Sequence, residues 1–358
     1  MKKFFLAFLL ALCAWSAPAQ KTEPLVLEDS ASWCMVLLPD PQSYIKFDYN
    51  QPVFELMQQW IRYNRDRLNI RLVLCTGDLV EQNNRMSAPD GINGNQTSTQ
   101  QWQAVSRAFG IIDDALPYIL CTGNHDHGYE RAENRYSQLN SYFPPDRHAL
   151  YARLLKGMFK NDSGVETLEN AWYEFEAPTG EKYLIVSLEF DARRAVVEAA
   201  KELVARPEYA GHRVVFLTHA YMRSMTSGNK RLVKNNYGIT DKTCGEALWR
   251  DLIEPCPQAS MVFCGHVVGD MSHQGHVGFR TDRNAAGRPV HQMEFNAQAE
   301  GGGWHGNGGD GWLRVLEFKP DGKTVTVHTF SPLFGISPST ADLSIRKEPY
   351  DYFSFELD

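Results

Sequence analysis

The chain has 358 residues, 43% of them apolar, and a formal net charge of −7. That length and apolar content allow a substantial buried core, arranged either as one elaborated domain or as two. Because the charge balance is acidic and the sequence has no basic run, composition disfavours a nucleic-acid-binding surface, including that of a nuclease.

The first 19 residues predict a secretory signal. Lys2 and Lys3 precede an apolar run of about ten residues, and the small residues Ala17 and Ala19 close it. The alternative is a membrane anchor, but the run is shorter than the ~20 residues that a spanning helix needs. We therefore expect cleavage after Ala19, no membrane span, and a mature protein that is secreted or periplasmic.

Apolar runs then alternate with helical patterns along the chain. The first series is "CMVLLPDPQ", "VFELMQQWIRYNRDR", "IRLVLCTGD", "WQAVSRAFGIID" and "PYILCTGNHD". The second is "AWYEFEA", "KYLIVSLEFD", "AVVEAAKELVAR", "HRVVFLTHAY", "EALWRDLI" and "SMVFCGH". Strands that alternate with helices indicate parallel sheet pairing. The chain ends in "VHQMEFNAQ", "GWLRVLEFKPDGKTVTVHTF" and "YDYFSFEL", in which "PDGK" predicts a hairpin turn.

The sequence shows no internal repeat and no linker rich in proline or serine. We therefore predict one α/β domain over residues 20–358, built on two packed sheets with outer helices and including the C-terminal strands.

The seven cysteines permit disulfides without requiring them. Cys75 and Cys121 lie inside apolar runs and are predicted to be buried thiols, although adjacent strands could bring them together. Cys244 and Cys256 flank a predicted helix, which would separate them by ~18 Å. That separation is too large for a disulfide.

Polar residues follow the predicted strands where each strand ends, which is where open α/β sheets bind ligands. In chain order they are Asp40, Gln42, Asp78, Asn124, His125, Asp126, His219 and His266. Taken singly, each has an ordinary structural explanation, such as a helix cap for Asp78 or a core histidine for His219. Their joint order indicates a metal site, and oxygen and imidazole ligands of this kind suit manganese, iron or zinc.

This ordered set resembles the calcineurin-like metallophosphoesterases, whose pattern is D-x-H, G-D, G-N-H-D/E, a lone H, and G-H-x-H. The matching segments are "DPQ", "GDLVEQN", "GNHD", "LTHAY" and "GHVV". The chain is also similar to a secreted bacterial branch that has Gln at the third position of the first motif, whereas Val268 departs from that branch as well. The resemblance implies a four-layer α/β/β/α sandwich of two mixed sheets flanked by helices.

The resemblance further implies two divalent metal ions. Asp78 would bridge them, and Asn124, His219 and His266 would complete the second site. The first site would contain Asp40, Asp78 and Gln42 but would lack the histidine that Val268 replaces, so we expect one firm and one weak site. The possible substitute ligands are Asp270, Asn296, Gln298 and His305.

The implied reaction is hydrolysis of a phosphomonoester or phosphodiester by a metal-activated water. In that reaction His125 would stabilise the developing charge or donate a proton to the leaving group, and Asp126 would orient His125. His127 has no motif role and is expected behind the site or on the surface. The alternative, motivated by Val268, is a catalytically impaired protein of the same fold that binds a metal or another ligand.

Two polar segments are candidates for contacts with a small phosphorylated substrate. Residues 128–171 and 221–243 contain the basic residues predicted to contact phosphate, and each segment could instead be a solvated surface loop. The predicted phosphate contacts are Arg131, Arg135, Lys230 and Arg231. Tyr129 and Trp304 could stack on a ring. The sequence gives no oligomeric state.

Overall fold

A computed structural model describes residues 25–89 and 91–358. The predicted signal over residues 1–19, which contains one of the seven cysteines, Cys13, lies outside these residues. The described strands are β1 (Trp33–Leu38), β2 (Ile70–Cys75), β3 (Tyr118–Leu120), β4 (Leu155–Lys160), β5 (Glu166–Glu176), β6 (Lys182–Ser187), β7 (Arg213–Leu217), β8 (Ala259–Cys264), β9 (Val277–Arg283), β10 (Pro289–Phe295), β11 (Leu313–Phe318), β12 (Thr324–Phe330), β13 (Ile345–Arg346) and β14 (Phe353–Glu356).

The α-helices in the same part of the chain alternate with these strands. They are α1 (Gln42–Ile45), α2 (Gln51–Asn64), α3 (Ser98–Gly110), α4 (Leu139–Tyr142), α5 (Ala149–Leu154), α6 (Arg194–Val204), α7 (Gly245–Leu248) and α8 (Pro332–Gly335). A π-helical turn over Trp249–Ile253 extends α7. Thr97 begins α3 with a capping box, in which its side chain accepts from the Gln100 backbone amide and the Gln100 side chain accepts from the Thr97 amide.

The first sheet has the order β13-β12-β11-β1-β2-β3, with β14 also paired to β12. Strands β1, β2 and β3 run parallel, whereas β11 pairs antiparallel with β1 and with β12. The "PDGK" segment joins β11 to β12, as the sequence predicted. The parallel half of this sheet comes from the first series of alternating strands and helices.

The second sheet has the order β4-β5-β6-β7-β8-β10-β9. Strands β6, β7, β8 and β10 run parallel, and the outer pairs at both edges are antiparallel. The segment over residues 128–171 was predicted to contact substrate or to form a solvated surface loop, but its second half forms β4 and the start of β5. The sequence signal for β4 is weak because this edge strand is only partly buried and lacks a clear apolar alternation.

The two sheets pack face to face, with helices on both outer faces. Strand β6 shows the alternation: Tyr183 and Ile185 belong to the core that also contains the first sheet, whereas Leu184 and Val186 pack with α6. Helices α2 and α3 contribute Phe54, Met57, Trp102 and Phe109, among others, to the core that contains the first sheet. This arrangement confirms the predicted α/β/β/α sandwich.

Aromatic packing joins the sheets. Trp33 stacks on Phe318 of its own sheet at 4.1 Å between ring centroids, and it lies 5.4 Å from Phe175 and 6.0 Å from Tyr183 of the other sheet. The six described cysteines are free thiols, so Cys75 and Cys121 form no disulfide although they are neighbours. No helix among residues 25–89 and 91–358 is long and apolar enough to span a bilayer.

Candidate metal centre and catalytic pocket

The carboxyl ends of strands from both sheets meet at one end of the sandwich. The predicted ligands follow these ends closely and are Asp40 after β1, Asp78 after β2, Asn124 after β3, His219 after β7 and His266 after β8. Asp40, Asp78, Asn124 and His219 are buried. The structure therefore brings together residues that are far apart in the sequence.

Asp78, His219 and His266 form the centre of the site, and we call them the metal cluster. One possible ligand atom from each lies within 4.8 Å of the others. His219 Nε2 is 3.1 Å from Asp78 Oδ2 and 3.2 Å from His266 Nδ1. His219 Nδ1 donates to the Thr76 carbonyl at 2.7 Å, which leaves the Nε2 lone pair for a cation.

Unsatisfied polar atoms beside the metal cluster also fit a cation. Both side-chain amide atoms of Asn124 are buried and have no hydrogen-bond partner among the described residues. Buried polar atoms are almost always paired, so an unpaired amide oxygen at this position is a candidate ligand. Asp78 and His266 have φ values of 49° and 74°, in the left-handed region that non-glycine residues avoid.

Asp40 is held from two sides. Its Oδ1 accepts from Thr76 Oγ1 at 2.9 Å, and its Oδ2 accepts from the His266 amide at 2.9 Å and from Asn296 Nδ2 at 2.8 Å. Asn296 thus positions Asp40 rather than offering its own oxygen, which accepts from the Gln298 amide at 2.9 Å.

Gln42 and Gln298 offer two further side-chain oxygens in the pocket. Gln42 Oε1 and Gln298 Oε1 are buried without a hydrogen-bond partner among the described residues, and both side chains line the same pocket as Val268. Asp270 and His305 do not line that pocket. Asp270 instead accepts from the Ser272 amide at 2.8 Å in its own loop. Of the four predicted substitutes, Gln298 alone lines the pocket.

Glycines before two of the motif residues make room for the carboxylates. A Cβ on Gly123 would overlap Asp78 Oδ1, and a Cβ on Gly265 would overlap Asp40 Oδ1. Neither glycine has a positive φ, so close approach rather than backbone conformation requires glycine here.

Burial and neighbouring charges shift the pKa values of the ionisable groups in the site. Burial raises the pKa of Asp40 to about 7. Burial also disfavours charge on His219, but the carboxylates of Asp78 and Asp40 outweigh it and raise the pKa of His219 to about 10. Burial and the neighbouring His219 lower the pKa of His266 to about 3. Because Nδ1 donates to Thr76, the titrating proton of His219 lies on Nε2 and faces the Asp78 carboxylate, and a cation bound there would displace it.

His125 lines the pocket beside the metal cluster. Its Nδ1 lies 2.6 Å from the Glu81 carbonyl, and because a carbonyl only accepts, Nδ1 is the donor. The second ring nitrogen, Nε2, is left to interact with a ligand.

The prediction that Asp126 orients His125 is wrong. The Asp126 carboxylate accepts from the amides of Leu79 at 2.8 Å, Val80 at 3.2 Å and Gly123 at 2.8 Å, so it ties the Asp78 loop to the Asn124 loop. His127 is buried behind the site, with its ring 2.9 Å from Thr122 Oγ1 and 3.2 Å from the Arg135 carbonyl.

A pocket of about 710 Å³ opens above the metal cluster. Basic and aromatic side chains line it around the motif residues. They are Lys46, Arg131, Arg223, Lys234, Tyr237 and Trp304. The sequence identified Arg131 and Trp304 as substrate contacts but missed Lys46, which follows Gln42 by one helical turn and therefore faces the same way.

Three of the four predicted phosphate contacts are not in the pocket. Arg135 is buried, 3.5 Å from Glu189 Oε1, and donates to backbone carbonyls. Arg231 is buried too, pairs with Asp282, and lies 4.0 Å over the Trp249 ring. Both arginines hold loops to the sandwich. Lys230 is exposed and does not line the pocket.

The fold and the cluster define a two-sheet α/β protein with a candidate metal centre at its strand ends. The chain belongs to the calcineurin-like phosphoesterase family, whose sequence profile matches residues 49–270. The match includes Asp78, Asn124, His219 and His266. Asp40, Gln42 and Gln298 lie outside it.

The chain is 25% identical over 284 residues to the uncharacterized protein YvnB of Bacillus subtilis (strain 168), and the alignment covers 78% of the chain but 18% of YvnB. Among solved structures, GAP50, the anchor in the inner membrane complex of Plasmodium, has a TM-score of 0.47 at 11% identity, covering 91% of this chain and 89% of that one. PhoD has a TM-score of 0.47 at 10% identity, with coverage of 91% and 73%.

Proposed function

We propose that the chain is a metal-dependent phosphoesterase that hydrolyses a phosphomonoester or a phosphodiester of a small molecule. The observation that carries this proposal is the metal cluster, in which one carboxylate and two imidazoles lie within 4.8 Å of one another beside His125. Membership of the calcineurin-like phosphoesterase family supports it.

The residues divide into a complete and an incomplete ligand set. Asp78, Asn124, His219 and His266 would bind one divalent ion, and Asp40, Asp78, Gln42 and Gln298 a second. Manganese, iron or zinc bound there would neutralise phosphoryl charge and lower the pKa of a coordinated water. The protein itself orients the proposed ligands: the Thr76 carbonyl accepts from His219, and Asn296 donates to Asp40.

His125 is assigned the proton transfer. Its Nδ1 is fixed on the Glu81 carbonyl, so Nε2 can donate a proton to the oxygen of the leaving group when the ring is protonated. An alkoxide leaving group needs this proton, because it is otherwise a poor leaving group near pH 7.

The test is hydrolysis by protein stripped of metal and then titrated with manganese, zinc or iron. The substrates are 4-nitrophenyl phosphate and bis(4-nitrophenyl) phosphate, which also separate the monoester from the diester activity. The proposal expects saturable turnover that requires metal. In His125→Ala the loss is expected to be larger for phenyl phosphate, whose leaving group needs the proton more, than for the two nitrophenyl esters. Metal-independent turnover, or full activity of His125→Ala on phenyl phosphate, would contradict the proposal.

A second candidate function is a binding protein that has lost turnover. Val268 favours it, because an apolar side chain lines the pocket at the position that the family pattern gives to a histidine. If the chain is such a binding protein, the metal cluster should bind one metal ion, and neither substrate should be hydrolysed with manganese, zinc or iron.

We also propose that the mature protein is secreted or periplasmic. The support is the predicted signal over residues 1–19. Expression of the full chain in a bacterial host, followed by fractionation and N-terminal sequencing, is expected to give exported protein that begins at residue 20. Cytoplasmic protein that retains Met1 would contradict this proposal.

A further inference from the structure

The pocket is larger than the group that the metal cluster would hold. Pockets of roughly 300 to 1,000 Å³ enclose whole small molecules. The volume of this pocket is about 710 Å³. A phosphoryl group at the metal cluster fills only a small part of that space. The remaining space must receive the leaving group, so the residues around it decide which leaving groups fit.

Lys46 and Trp304 lie together in the pocket lining. Lys46 Nζ lies 5.2 Å from the centre of the Trp304 ring. The Lys46 carbonyl accepts from the Asn95 amide at 3.0 Å, and a Cβ on Gly94 would overlap that carbonyl. The backbone of Lys46 is therefore fixed by a close-packed turn, and its side chain is directed into a defined place.

The Lys46 ammonium is poorly satisfied within the protein. Its side chain is 1% exposed, and its carboxylate partner, Glu81 Oε2, is 3.8 Å away. That distance is too long for a hydrogen bond. Among the described residues Glu81 Oε2 is buried without a hydrogen-bond partner. A buried ammonium is costly unless its donors are paired, so an anion from the pocket would improve its environment.

The rest of the pocket lining is also basic. Arg131, Arg223 and Lys234 are exposed side chains on the segments over residues 128–135 and 223–237. Tyr237 is half-buried, lines the pocket with them, and lies 5.9 Å from the His266 ring. The pocket lining has four cations, counting Lys46, against the two carboxylates of Asp78 and Glu81, in a chain with a net charge of −7. The pocket is therefore a local concentration of positive charge. Such a field attracts ligands that carry more than one negative group.

We infer that the substrate is a phosphate ester whose leaving group carries a second anionic group, and that Lys46 binds this second group beneath Trp304. The inference rests on the proposed phosphoesterase function and specifies its substrate class. Lys46 is a specificity-determining residue in this assignment, and His125 and the metal cluster act on the phosphoryl group.

The test compares phenyl phosphate with 4-carboxyphenyl phosphate, which differ in one carboxylate. In wild type, 4-carboxyphenyl phosphate is expected to have the higher kcat/KM. In Lys46→Met this preference is expected to fall about tenfold, as for loss of a charged hydrogen bond, mainly through KM, with little change for phenyl phosphate. Lys46→Arg is expected to restore part of the preference. Lys323→Met, an exposed lysine in the turn between β11 and β12, is the matched control.

Two outcomes would overturn the inference. An equal loss on both substrates would place Lys46 on the transferred phosphoryl group, and no loss on either would remove it from substrate binding. Because Lys46→Met leaves Glu81 without its partner, the double variant Lys46→Met/Glu81→Gln repeats the measurement with that buried charge removed.

A binding measurement separates this inference from the proposed function. Calorimetry with phenylphosphonate and 4-carboxyphenylphosphonate needs no turnover, and the carboxylate is expected to improve Kd in wild type but not in Lys46→Met. If wild type hydrolyses neither ester but shows this pattern, the proposed function fails and the anion subsite stands. If both esters are hydrolysed and the carboxylate has no effect in either assay, the subsite fails alone.

Discussion

The two ligand sets of the proposed metal centre differ in chemistry although both include Asp78. The proposed second set has a carboxylate and two imidazoles within 4.8 Å, with an unpaired amide from Asn124 beside them among the described residues. The proposed first set has Asp40 and two amide oxygens from the pocket lining, those of Gln42 and Gln298, with Val268 where the family pattern has a histidine. Imidazole suits iron and zinc, whereas carbonyl-type oxygens such as those of Gln side chains suit manganese better. The strand ends place both ligand sets at the same end of the sandwich, so the proposed difference in affinity comes from residue type.

Removing His219 is expected to have the largest effect, because its Nε2 lies between Asp78 and His266. Mutation of a residue that hydrogen-bonds to a metal ligand lowers metal affinity or activity by roughly 10- to 100-fold. Loss of a direct ligand should therefore lower turnover by more than about a hundredfold. Metal content measured after dialysis should fall to the level of the apoprotein. His219→Gln, which keeps a polar group, controls for folding by circular dichroism. Retention of one tightly bound metal in His219→Ala would mean that the two halves have been assigned in reverse.

His125→Ala is expected to lower kcat by about 10²- to 10⁴-fold, since a proton donor of this kind contributes that much. Metal stoichiometry should be unchanged, because the His125 side chain is placed on substrate rather than in either ligand set. The measurement pairs turnover with metal analysis of the same preparation. Loss of metal together with activity would move His125 into the ligand set.

Acid stability provides a way to separate metal loss from unfolding. Although burial opposes the charge, hydrogen bonds from His328, Lys319 and backbone amides lower the pKa of Glu317 to about 2. The folded state therefore gains stability above pH 4.5, and this gain is lost as the pH falls from about 4.5 to about 2. Glu317→Gln should remove up to about 3 kcal/mol near neutral pH and flatten that dependence.

Urea unfolding at several pH values measures this effect, with Glu202→Gln on α6 as the exposed control. If Glu317→Gln and wild type lose stability in parallel on acidification, the Glu317 network does not govern acid stability. Metal release from wild type at a pH where the fold is intact would then reflect the metal centre alone.

Two variants of the weak half should change affinity in opposite directions. Val268→His supplies the missing imidazole and is expected to tighten the weaker metal about tenfold or more, whereas Gln298→Leu should weaken it by a similar factor. Titration calorimetry of the metal-stripped protein reports both sites at once, and the tighter site should not change. An unchanged affinity in both variants would show that another residue completes the first site.

The smallest effect is expected for Lys230→Ala. Lys230 is exposed and does not line the pocket, so the change should alter stability by less than about 0.5 kcal/mol and leave kcat/KM unchanged. A clear rise in KM for phosphorylated substrates would show that this loop moves over the pocket when substrate binds.

The sequence predicted the parts of the molecule that depend on periodicity and strand order. Alternating apolar runs identified both series of strands, and the polar residues at their ends converge in the structure because parallel strands share one edge. The edge strand β4 was missed because its residues are only partly buried. Arg135 and Arg231 were assigned to phosphate because a sequence does not show which arginines pair with buried acids and carbonyls. The role of Asp126 was mispredicted for the same reason, because folding brings its carboxylate to the backbone amides of Leu79 and Val80.

The glycines that lie against Asp78 and Asp40 have a consequence for redesign. Position 268 can accept other residue types because its side chain lines the open pocket. At Gly123 and Gly265 a carboxylate oxygen fills the space next to the backbone, so even alanine would displace Asp78 or Asp40. Attempts to alter the metal preference of the proposed centre therefore have most freedom at positions 42, 268 and 298.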